Sequence, residues 1–290
     1  MVLFFLVSEY VITLSAQSKN PTRFLLSRVL RIYPLYVLSL ISFWIYQSLN
    51  QIELPKWRDM VGSLTLMGDL IGSPNQLNGV EWTLRIEILF YAIAWGVIVV
   101  SRAKSDKGLS RMLSMPRFLI VALLLLFNAP TFPEGGFNGY GTIFLPVFIA
   151  GVSFALFDLK SISLYTHLVI LSLSYWTTIL NQSRIRPDLL VYGPYILIPF
   201  AIFTLLYLSR RYFYNTRPLT FMASLTYSTY LFHNWLFDPI YNVVPKIDLN
   251  LFSLIKIDTV IALSIFFSLM YVLFKYIESP FIAFGKKQRK

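Results

Sequence analysis

Three arginines near the start of the chain are spaced so that they could bind phosphate groups together. Arg23, Arg28 and Arg31 precede an apolar, aromatic stretch, and Arg28 and Arg31, three positions apart, would share one face of a helix. Guanidinium groups bind phosphate bidentately, in a fixed fork that lysine lacks. Such arginines also occur as cytoplasmic anchors at the ends of membrane helices, and the sequence leaves both interpretations open.

A second group of polar residues lies inside an otherwise apolar segment. Thr83, Glu87 and Tyr91 recur at intervals of four on one helix face, and Glu81 and Arg85 form a second pair at the same spacing. An unpaired charge near the centre of a lipid bilayer costs about 3 kcal/mol, so Glu87 needs a partner or a wet cavity. It is either half of an interhelical ion pair or a carboxylate that orients or activates a substrate group.

The third group contains one of the two histidines. Thr226, Tyr230 and His233 share a helix face, and Asn234 lies beside them. His233 is therefore the better candidate for a general base, with a hydrogen-bonded packing residue as the alternative. His167 has apolar neighbours, and we interpret it as a packed or interfacial residue. Two histidines so far apart are weak evidence for a metal site, and we predict none.

The composition predicts that helices in a bilayer position these groups. The 290 residues are 56% hydrophobic and 13% charged, whereas soluble proteins contain about 25% charged residues. Apolar runs of about 20 residues recur, as in polytopic membrane proteins. The formal charge of +11 does not indicate nucleic-acid binding, because the basic residues lie between apolar runs. Without cysteine, no disulfide, thiolate nucleophile or cysteine metal site can form.

We predict an all-α membrane helix bundle of nine spans, with residues 60–71 as a re-entrant or interfacial segment. We expect Pro34 in the first turn of the second span and Pro280 at the end of the last helix. One membrane domain, residues 1–284, would precede a basic, disordered cytoplasmic tail, residues 285–290. The predicted spans are residues 2–16, 32–50, 82–100, 117–128, 140–157, 163–180, 189–209, 219–237 and 250–275.

The distribution of basic residues predicts the orientation. If the loop from Lys19 to Arg31 is cytoplasmic and the spans alternate, 18 of the 25 Lys and Arg residues lie on the cytoplasmic side. Met1 would then lie outside and the tail inside. An uncharged N-terminus outside is unusual, and one additional span before Met1 would explain it.

Five motifs, in order along nearly the whole chain, resemble those of the acyltransferase 3 family of bacterial membrane O-acyltransferases. The first is L-F-F-L-V-S-E-Y, with Glu9 where the family usually has glycine. Arg28 and Arg31 match R-x-x-R, followed by I-Y-P-L-Y. The segment from Trp82 to Tyr91 is similar to W-S-L-x-x-E-x-x-F-Y. Two later segments, L-T-Y-S-T-Y-L-F-H and Y-I-E-S-P-F, match S-Y-x-x-Y-L-x-H and E-x-P-F.

The resemblance implies transfer of an acyl group, often acetyl, from acyl-CoA to a hydroxyl of an extracytoplasmic or lipid-linked glycan at the bacterial inner membrane. Acyl-CoA would be the donor substrate, and no tightly bound cofactor is expected. We expect Glu278 to pair with a loop arginine in a structural role. The predicted site residues are Arg23, Arg28 and Arg31 for the donor phosphates, Glu87, Tyr230 and His233 for catalysis, and Trp82, Tyr91 and Asn234 for substrate binding.

The family pattern begins with an earlier helix, in which an arginine is followed by a histidine expected to be the catalytic base. This chain begins at the second helix of that pattern, so we expect the first helix to be missing here. Two alternatives stay open at this point. One is a transporter or flippase that uses Glu9, Arg85, Glu87 and His233, although no inverted repeat is visible. The other is a truncated, inactive acyltransferase homologue.

Overall fold

A computed structural model describes residues 1–17, 20–68, 71–103, 115–128, 136–185, 193–212, 216–245, 250–251 and 255–287. Helices dominate this part of the chain, as predicted. The α-helices are α1 Val2–Gln17, α2 Pro21–Leu49, α3 Trp57–Thr65, α4 Glu81–Ala103, α5 Met115–Asn128, α6 Gly136–Asp158, α7 Leu164–Ile185, α8 Gly193–Ser209, α9 Arg217–Val243, α10 Ile257–Leu273 and α11 Ser279–Lys287.

Three short elements connect these helices. A 3₁₀ turn, Leu77–Gly79, precedes α4, and a π-helical turn, Phe274–Glu278, joins α10 to α11. Two strands of two residues each, β1 Asn250–Leu251 and β2 Ile255–Lys256, pair antiparallel before α10. Every predicted span thus corresponds to a helix, although residues 189–192 and 252–254, which belong to two of the spans, lie outside the described residues.

Two of the described helical stretches, Thr22–Leu49 and Ile257–Gly285, are long and apolar enough to cross a membrane. Val2–Ser15, Ile143–Asp158 and Tyr195–Ser209 are shorter apolar helices. These features are those of a helical membrane protein, and the number of spans stays a prediction. The segment predicted to be too short to cross, residues 60–71, overlaps the nine-residue helix α3, which begins three residues earlier at Trp57.

Three expectations about helix ends are wrong: two concern where a helix starts, and the third concerns where the last helix ends. Helix α2 begins at Pro21, so Pro34 lies in its interior and the arginines lie within the helix rather than before it. Pro21 takes the first position of the helix, where a missing N–H costs nothing. The last long helix begins at Ile257 rather than at residue 250, because the β1–β2 pair precedes it.

Pro280 does not end the last helix. The N–H of Ser279 bonds the carbonyl of Phe274, five residues back, and this wide turn carries the helix past the proline. The helix continues to Lys287, so residues 285–287 of the predicted disordered tail are helical. Residues 288–290 lie outside the described part of the chain.

The chain divides into two compact units, and two of the three boundaries lie inside α2 and α4. The first unit comprises Met1–Phe24 and Leu89–Tyr214. In it α1 packs closely on α6, because a Cβ at Gly151 would lie 2.8 Å from the carbonyl oxygen of Leu6. Small residues at such positions let membrane helices approach one another.

The second unit comprises Leu25–Ile88 and Asn215–Lys290. Its helix α3 is attached to α2, because Tyr36 donates a hydrogen bond of 2.8 Å to the carbonyl of Ser63. Helix α9 packs on α10, with the rings of Phe237 and Phe266 5.9 Å apart. This unit positions most of the predicted site residues.

Candidate functional site

The predicted pair of Glu81 and Arg85 is a buried ion pair that fixes the loop before α4. Nε and Nη2 of Arg85 lie 2.8 Å and 2.7 Å from Oε1 of Glu81. The guanidinium also donates to the carbonyls of Ser73 (3.0 Å) and Pro74 (3.1 Å), and Oε2 of Glu81 accepts the N–H of Gln76 at 2.8 Å. We call Ser73, Pro74, Gln76, Glu81 and Arg85 the loop clamp.

Gly68 makes room for the loop clamp. A Cβ at this position would lie only 2.4–2.6 Å from the guanidinium atoms of Arg85. Real Cβ atoms do not approach other atoms so closely, so a larger side chain would displace the guanidinium. Glycine at position 68 therefore leaves the space that the Arg85 guanidinium occupies. The sequence did not reveal this role.

The 3₁₀ turn before α4 has left-handed backbone conformation. The φ angles of Leu77, Asn78 and Gly79 are 54°, 49° and 83°, and left-handed geometry costs a non-glycine residue roughly 1–2 kcal/mol. Asn78 is bonded reciprocally to Asn234. Its Nδ2 donates to the carbonyl of Asn234 at 3.2 Å, and Nδ2 of Asn234 donates to the carbonyl of Asn78 at 2.5 Å. We call this pair the latch.

Tyr230 adds a second connection between α9 and the start of α4. Its hydroxyl donates to the carbonyl of Val80 at 3.0 Å and is also hydrogen-bonded to the hydroxyl of Thr83. The latch and Tyr230 together hold the turn of α9 that contains His233 against the N-terminal end of α4.

The geometry of His233 determines where its ring proton lies. Nδ1 is 2.8 Å from the backbone carbonyl of Tyr230, and because a carbonyl oxygen only accepts, Nδ1 carries the proton. The neutral ring then has its lone pair on Nε2, which is the state of a general base. The side chain is exposed and lines a groove between α9 and α10.

A polar cluster brings together residues of α2, α4, α9 and the π-helical turn, further from the latch along α9. The Tyr227 hydroxyl donates to the carbonyl of Ile32 at 2.8 Å. The charges of Glu87, Glu278 and Arg31 all act on this hydroxyl. Glu87 also acts on Tyr230, so Tyr227 and Tyr230 share this carboxylate as an electrostatic neighbour.

Glu278 completes the polar cluster, which we define as Arg31, Glu87, Tyr227, Ser228 and Glu278. Its carboxylate is buried and accepts a hydrogen bond from Ser228 at 3.1 Å. Arg31 stabilises this carboxylate from a greater distance, without a direct bond, and its own side chain is exposed. The expected loop arginine is therefore a residue of α2, and the direct partner of Glu278 is a serine.

Seven of the nine predicted site residues belong to the second unit, and the other two belong to the first. Arg28 and Arg31 differ in exposure, because Arg28 is buried and Arg31 is exposed. The seven are Arg28, Arg31, Trp82, Glu87, Tyr230, His233 and Asn234.

The remaining two predicted residues, Arg23 and Tyr91, lie in the first unit. Arg23 is exposed, whereas Tyr91 is buried with its ring edge-on to Phe24 at 6.4 Å. In the second unit, Trp82 is half-buried on α4. The roles of all nine residues stay predictions.

The packing interpretation of His167 agrees with the structure. The residue is buried in the first unit and stacks on Phe157 with centroids 4.8 Å apart. Its Nδ1 lies 2.7 Å from Oγ of Ser153, a polar neighbour on another helix that the sequence did not indicate. Among the described residues, no group of three His, Cys, Asp or Glu residues is placed to hold a metal ion.

Sequence reasoning missed Tyr227, Ser228 and Asn78 as site residues. Tyr227 had a usable signal, because it lies three positions before Tyr230 and therefore on a neighbouring helix face. Asn78 had none, since its partner Asn234 is 156 residues away.

Comparison with known proteins bears on the whole arrangement. A family model described as an acyltransferase domain, of the acyltransferase 3 group, matches residues 1–278. No curated protein and no solved structure matches the chain. The matched segment contains the loop clamp, the latch and His233, and it ends at Glu278 of the polar cluster. A match of this extent means that the chain belongs to the acyltransferase 3 family and is a membrane O-acyltransferase.

Proposed function

We propose that this enzyme moves an acyl group, with acetyl as the expected group, from acyl-CoA to a hydroxyl of an extracytoplasmic or lipid-linked glycan. We place it in the bacterial inner membrane as a multi-pass protein. The observation that carries the proposal is the hydrogen bond between Nδ1 of His233 and the Tyr230 carbonyl, in a residue that lines an open groove. The acceptor hydroxyl needs a general base, since it is a weak nucleophile while it keeps its proton. The family resemblance implies a base on an earlier helix, and among the described residues His233 is the one that we propose for this role.

The reaction follows from general acid–base chemistry. Nε2 of His233 takes the hydroxyl proton as the oxygen bonds to the thioester carbonyl carbon. The carbonyl oxygen becomes an oxyanion, for which the hydroxyl of Thr229, which lines the same groove, is a suitable donor. The C–S bond then breaks, and the departing CoA thiolate takes the proton from the imidazolium.

The arginines of α2 suit the donor. CoA carries several phosphate charges, and guanidinium groups bind phosphate strongly. The exposed side chain of Arg31 is accessible to such a ligand, and its charge reaches Glu278 and Tyr227 of the polar cluster. Arg28 lies one helical turn away, and Arg23 precedes it. Glu87 would shape the path of the pantetheine arm or the acceptor, with Trp82 and Asn234 as further contacts.

The proposal is tested with the protein in lipid nanodiscs. Binding of acetyl-CoA is measured by calorimetry, and transfer of a radiolabelled acetyl group to glucosyl lipid is measured separately. Arg28→Ala with Arg31→Ala should abolish donor binding, whereas His233→Ala should keep it and lower transfer by roughly 10²–10⁴-fold. The matched control is Arg217→Ala, which removes an exposed arginine from the same unit.

Two outcomes would contradict the proposal. Donor affinity that the double arginine variant leaves unchanged would reduce these residues to membrane anchors. Transfer that His233→Ala leaves unchanged would remove the assigned base. A transporter would instead carry the glucosyl lipid across vesicles without any label becoming covalently attached to it.

A further inference from the structure

The groove beside His233 has a volume of about 1000 Å³ and lies between α9 and α10. His233 and Tyr230 line one end, and Phe221, Met222 and Tyr271 line the other. The rings of Phe221 and Tyr271 are 5.6 Å apart, which fixes the antiparallel register of the two helices there. All of these residues belong to the second unit.

The length of the groove matches one leaflet of a bilayer. From Phe221 to His233, the helical rise of 1.5 Å per residue gives about 18 Å. The hydrocarbon core of a membrane is about 30 Å thick, so one leaflet measures about 15 Å. Helix α10 belongs to the stretch Ile257–Gly285, which is long and apolar enough to cross that core.

The side chains along the groove suit a hydrocarbon chain. Met222, Phe267 and Val272 are large, apolar and exposed. Thr226 and Ser264 also line it, but each donates its hydroxyl proton to a carbonyl of its own helix, at 3.3 Å and 2.8 Å. A chain can therefore lie against them without leaving a hydroxyl group unbonded.

The polar end of the groove suits a hydroxyl-bearing head group. His233 lines this end of the groove, and because its Nδ1 is bonded to the backbone, Nε2 is the ring nitrogen that can accept a hydrogen bond. A molecule with a chain at Phe221 and a hydroxyl at His233 has the dimensions of a lipid in one leaflet. Under the predicted orientation, α9 runs outward from Arg217, so the chain end of the groove at Phe221 lies toward the cytoplasm and the head group at His233 lies toward the outer surface.

We infer that the groove binds the hydrocarbon chain of a lipid-anchored acceptor, whose hydroxyl-bearing head group lies at His233. The inference rests on the proposed role of His233, and it narrows the acceptor to the lipid-linked class. The polar end orients the head group, and the apolar groove supplies the contact area, as in most sites for small ligands.

The test uses a glucosyl diacylglycerol with a diazirine midway along one acyl chain, incorporated into nanodiscs that contain the protein. After irradiation, the crosslinked residues are identified by mass spectrometry. We expect crosslinks at groove residues such as Leu225 and Ser268. Ser268→Trp and Val272→Trp, which fill the groove, should lower crosslinking and transfer to the glucosyl lipid by about tenfold, a loss of about 1.4 kcal/mol.

Leu269→Trp is the matched control, because Leu269 is an exposed residue of the same helix that does not line the groove. It should leave both measurements unchanged. Val272→Trp supplements Ser268→Trp as a second test, since Val272 is already exposed and its position tolerates a large side chain. Size-exclusion chromatography identifies any variant that has lost its fold.

The outcomes separate this inference from the proposed function. If His233→Ala abolishes transfer while both groove variants crosslink and transfer like the control, the lipid site is wrong and the base is right. If the groove variants lose crosslinking while His233→Ala keeps transfer, the lipid site is right and the base is wrong. Protein–protein crosslinks through the groove, in place of lipid crosslinks, would overturn the lipid site and indicate a second copy of the chain.

Discussion

The loop clamp and the polar cluster both place a carboxylate near an arginine in the same unit, but they satisfy these charges differently. In the clamp, Arg85 and Glu81 touch each other, and both also bond the backbone. In the cluster, Glu278 bonds a serine, while Arg31 acts on it from a distance. In the clamp, both charged groups are bonded to other groups of the protein, whereas in the cluster the exposed cation Arg31 can bind an anionic ligand.

This difference teaches how similar residue types divide between structure and function. A buried ion pair is costly to break, because the remaining charge loses its partner in a medium of low dielectric. A loosely connected pair is less sensitive, because no short contact is lost. We therefore expect changes in the clamp to alter stability and changes in the cluster to alter donor binding.

The largest effect should come from Arg85→Ala. Removing one member of a buried pair costs about 3–5 kcal/mol, so the variant should show a much lower melting temperature in detergent. Replacing both charges with apolar residues, as in Glu81→Leu with Arg85→Met, should cost less than the single change, because no charge stays buried alone. If Arg85→Ala melts at the same temperature as Arg217→Ala, the clamp contributes nothing.

A middle-sized effect is expected at the latch. Asn78→Gly removes the hydrogen bond from the Asn78 side-chain amide to Asn234 and keeps the left-handed backbone, so it should lower the free energy of unfolding by about 1 kcal/mol. Asn78→Ala loses the same bond and adds roughly 1–2 kcal/mol of backbone strain. The melting temperature should therefore fall further for alanine than for glycine.

The control for the latch is Asn50→Ala, since the Asn50 amide, one residue past the end of α2, donates to the carbonyl of Tyr46, four residues earlier, at 2.8 Å. It should change the melting temperature less than either Asn78 variant. Equal melting temperatures for Asn78→Gly and Asn78→Ala would show that the backbone strain is absent.

The smallest effect is expected in the polar cluster, and it sharpens the comparison most. Glu278→Gln keeps an acceptor for Ser228 but removes a negative charge that acts on Arg31. Acetyl-CoA should then bind about two- to fivefold more tightly, a gain of roughly 0.4–1 kcal/mol, with little change in stability. Calorimetry in nanodiscs measures this affinity.

Asp258→Asn is the matched control for the cluster. Asp258 is a buried carboxylate of the same unit, but it bonds Tyr241 at 3.1 Å rather than acting on Arg31. Its change should leave donor affinity as it was. An equal gain in the two variants would show that net charge, and not the position of Glu278, controls donor binding.

The local parts of this structure could be predicted from the sequence. Hydrophobic runs located the helices, and the spacing of four identified Glu81 and Arg85, because neighbours on one helix face are set by helix geometry alone. The side-chain face of Tyr230 and His233 followed from the same rule.

The long-range parts could not be predicted in this way. Ser228 and Glu278 are 50 residues apart, and their bond depends on how α9 packs against the following helices. The left-handed Leu77 contradicts the preference of its residue type and persists because the surrounding contacts over-determine it. The start of α2 was missed because Pro34 was interpreted as a helix entry while Pro21 already occupied that position.

The π-helical turn Phe274–Glu278 determines which way the residues at the end of the last helix face. A π turn accommodates one extra residue, and each residue rotates an α-helix by about 100°. If the same residues formed a regular α-helix, Glu278 would turn about a quarter of a turn away from Ser228, whereas deleting a single residue such as Tyr276 would remove the extra residue and keep Glu278 on the same face. The π-helical turn thus keeps the Glu278 carboxylate directed at Ser228 although the helix contains an extra residue.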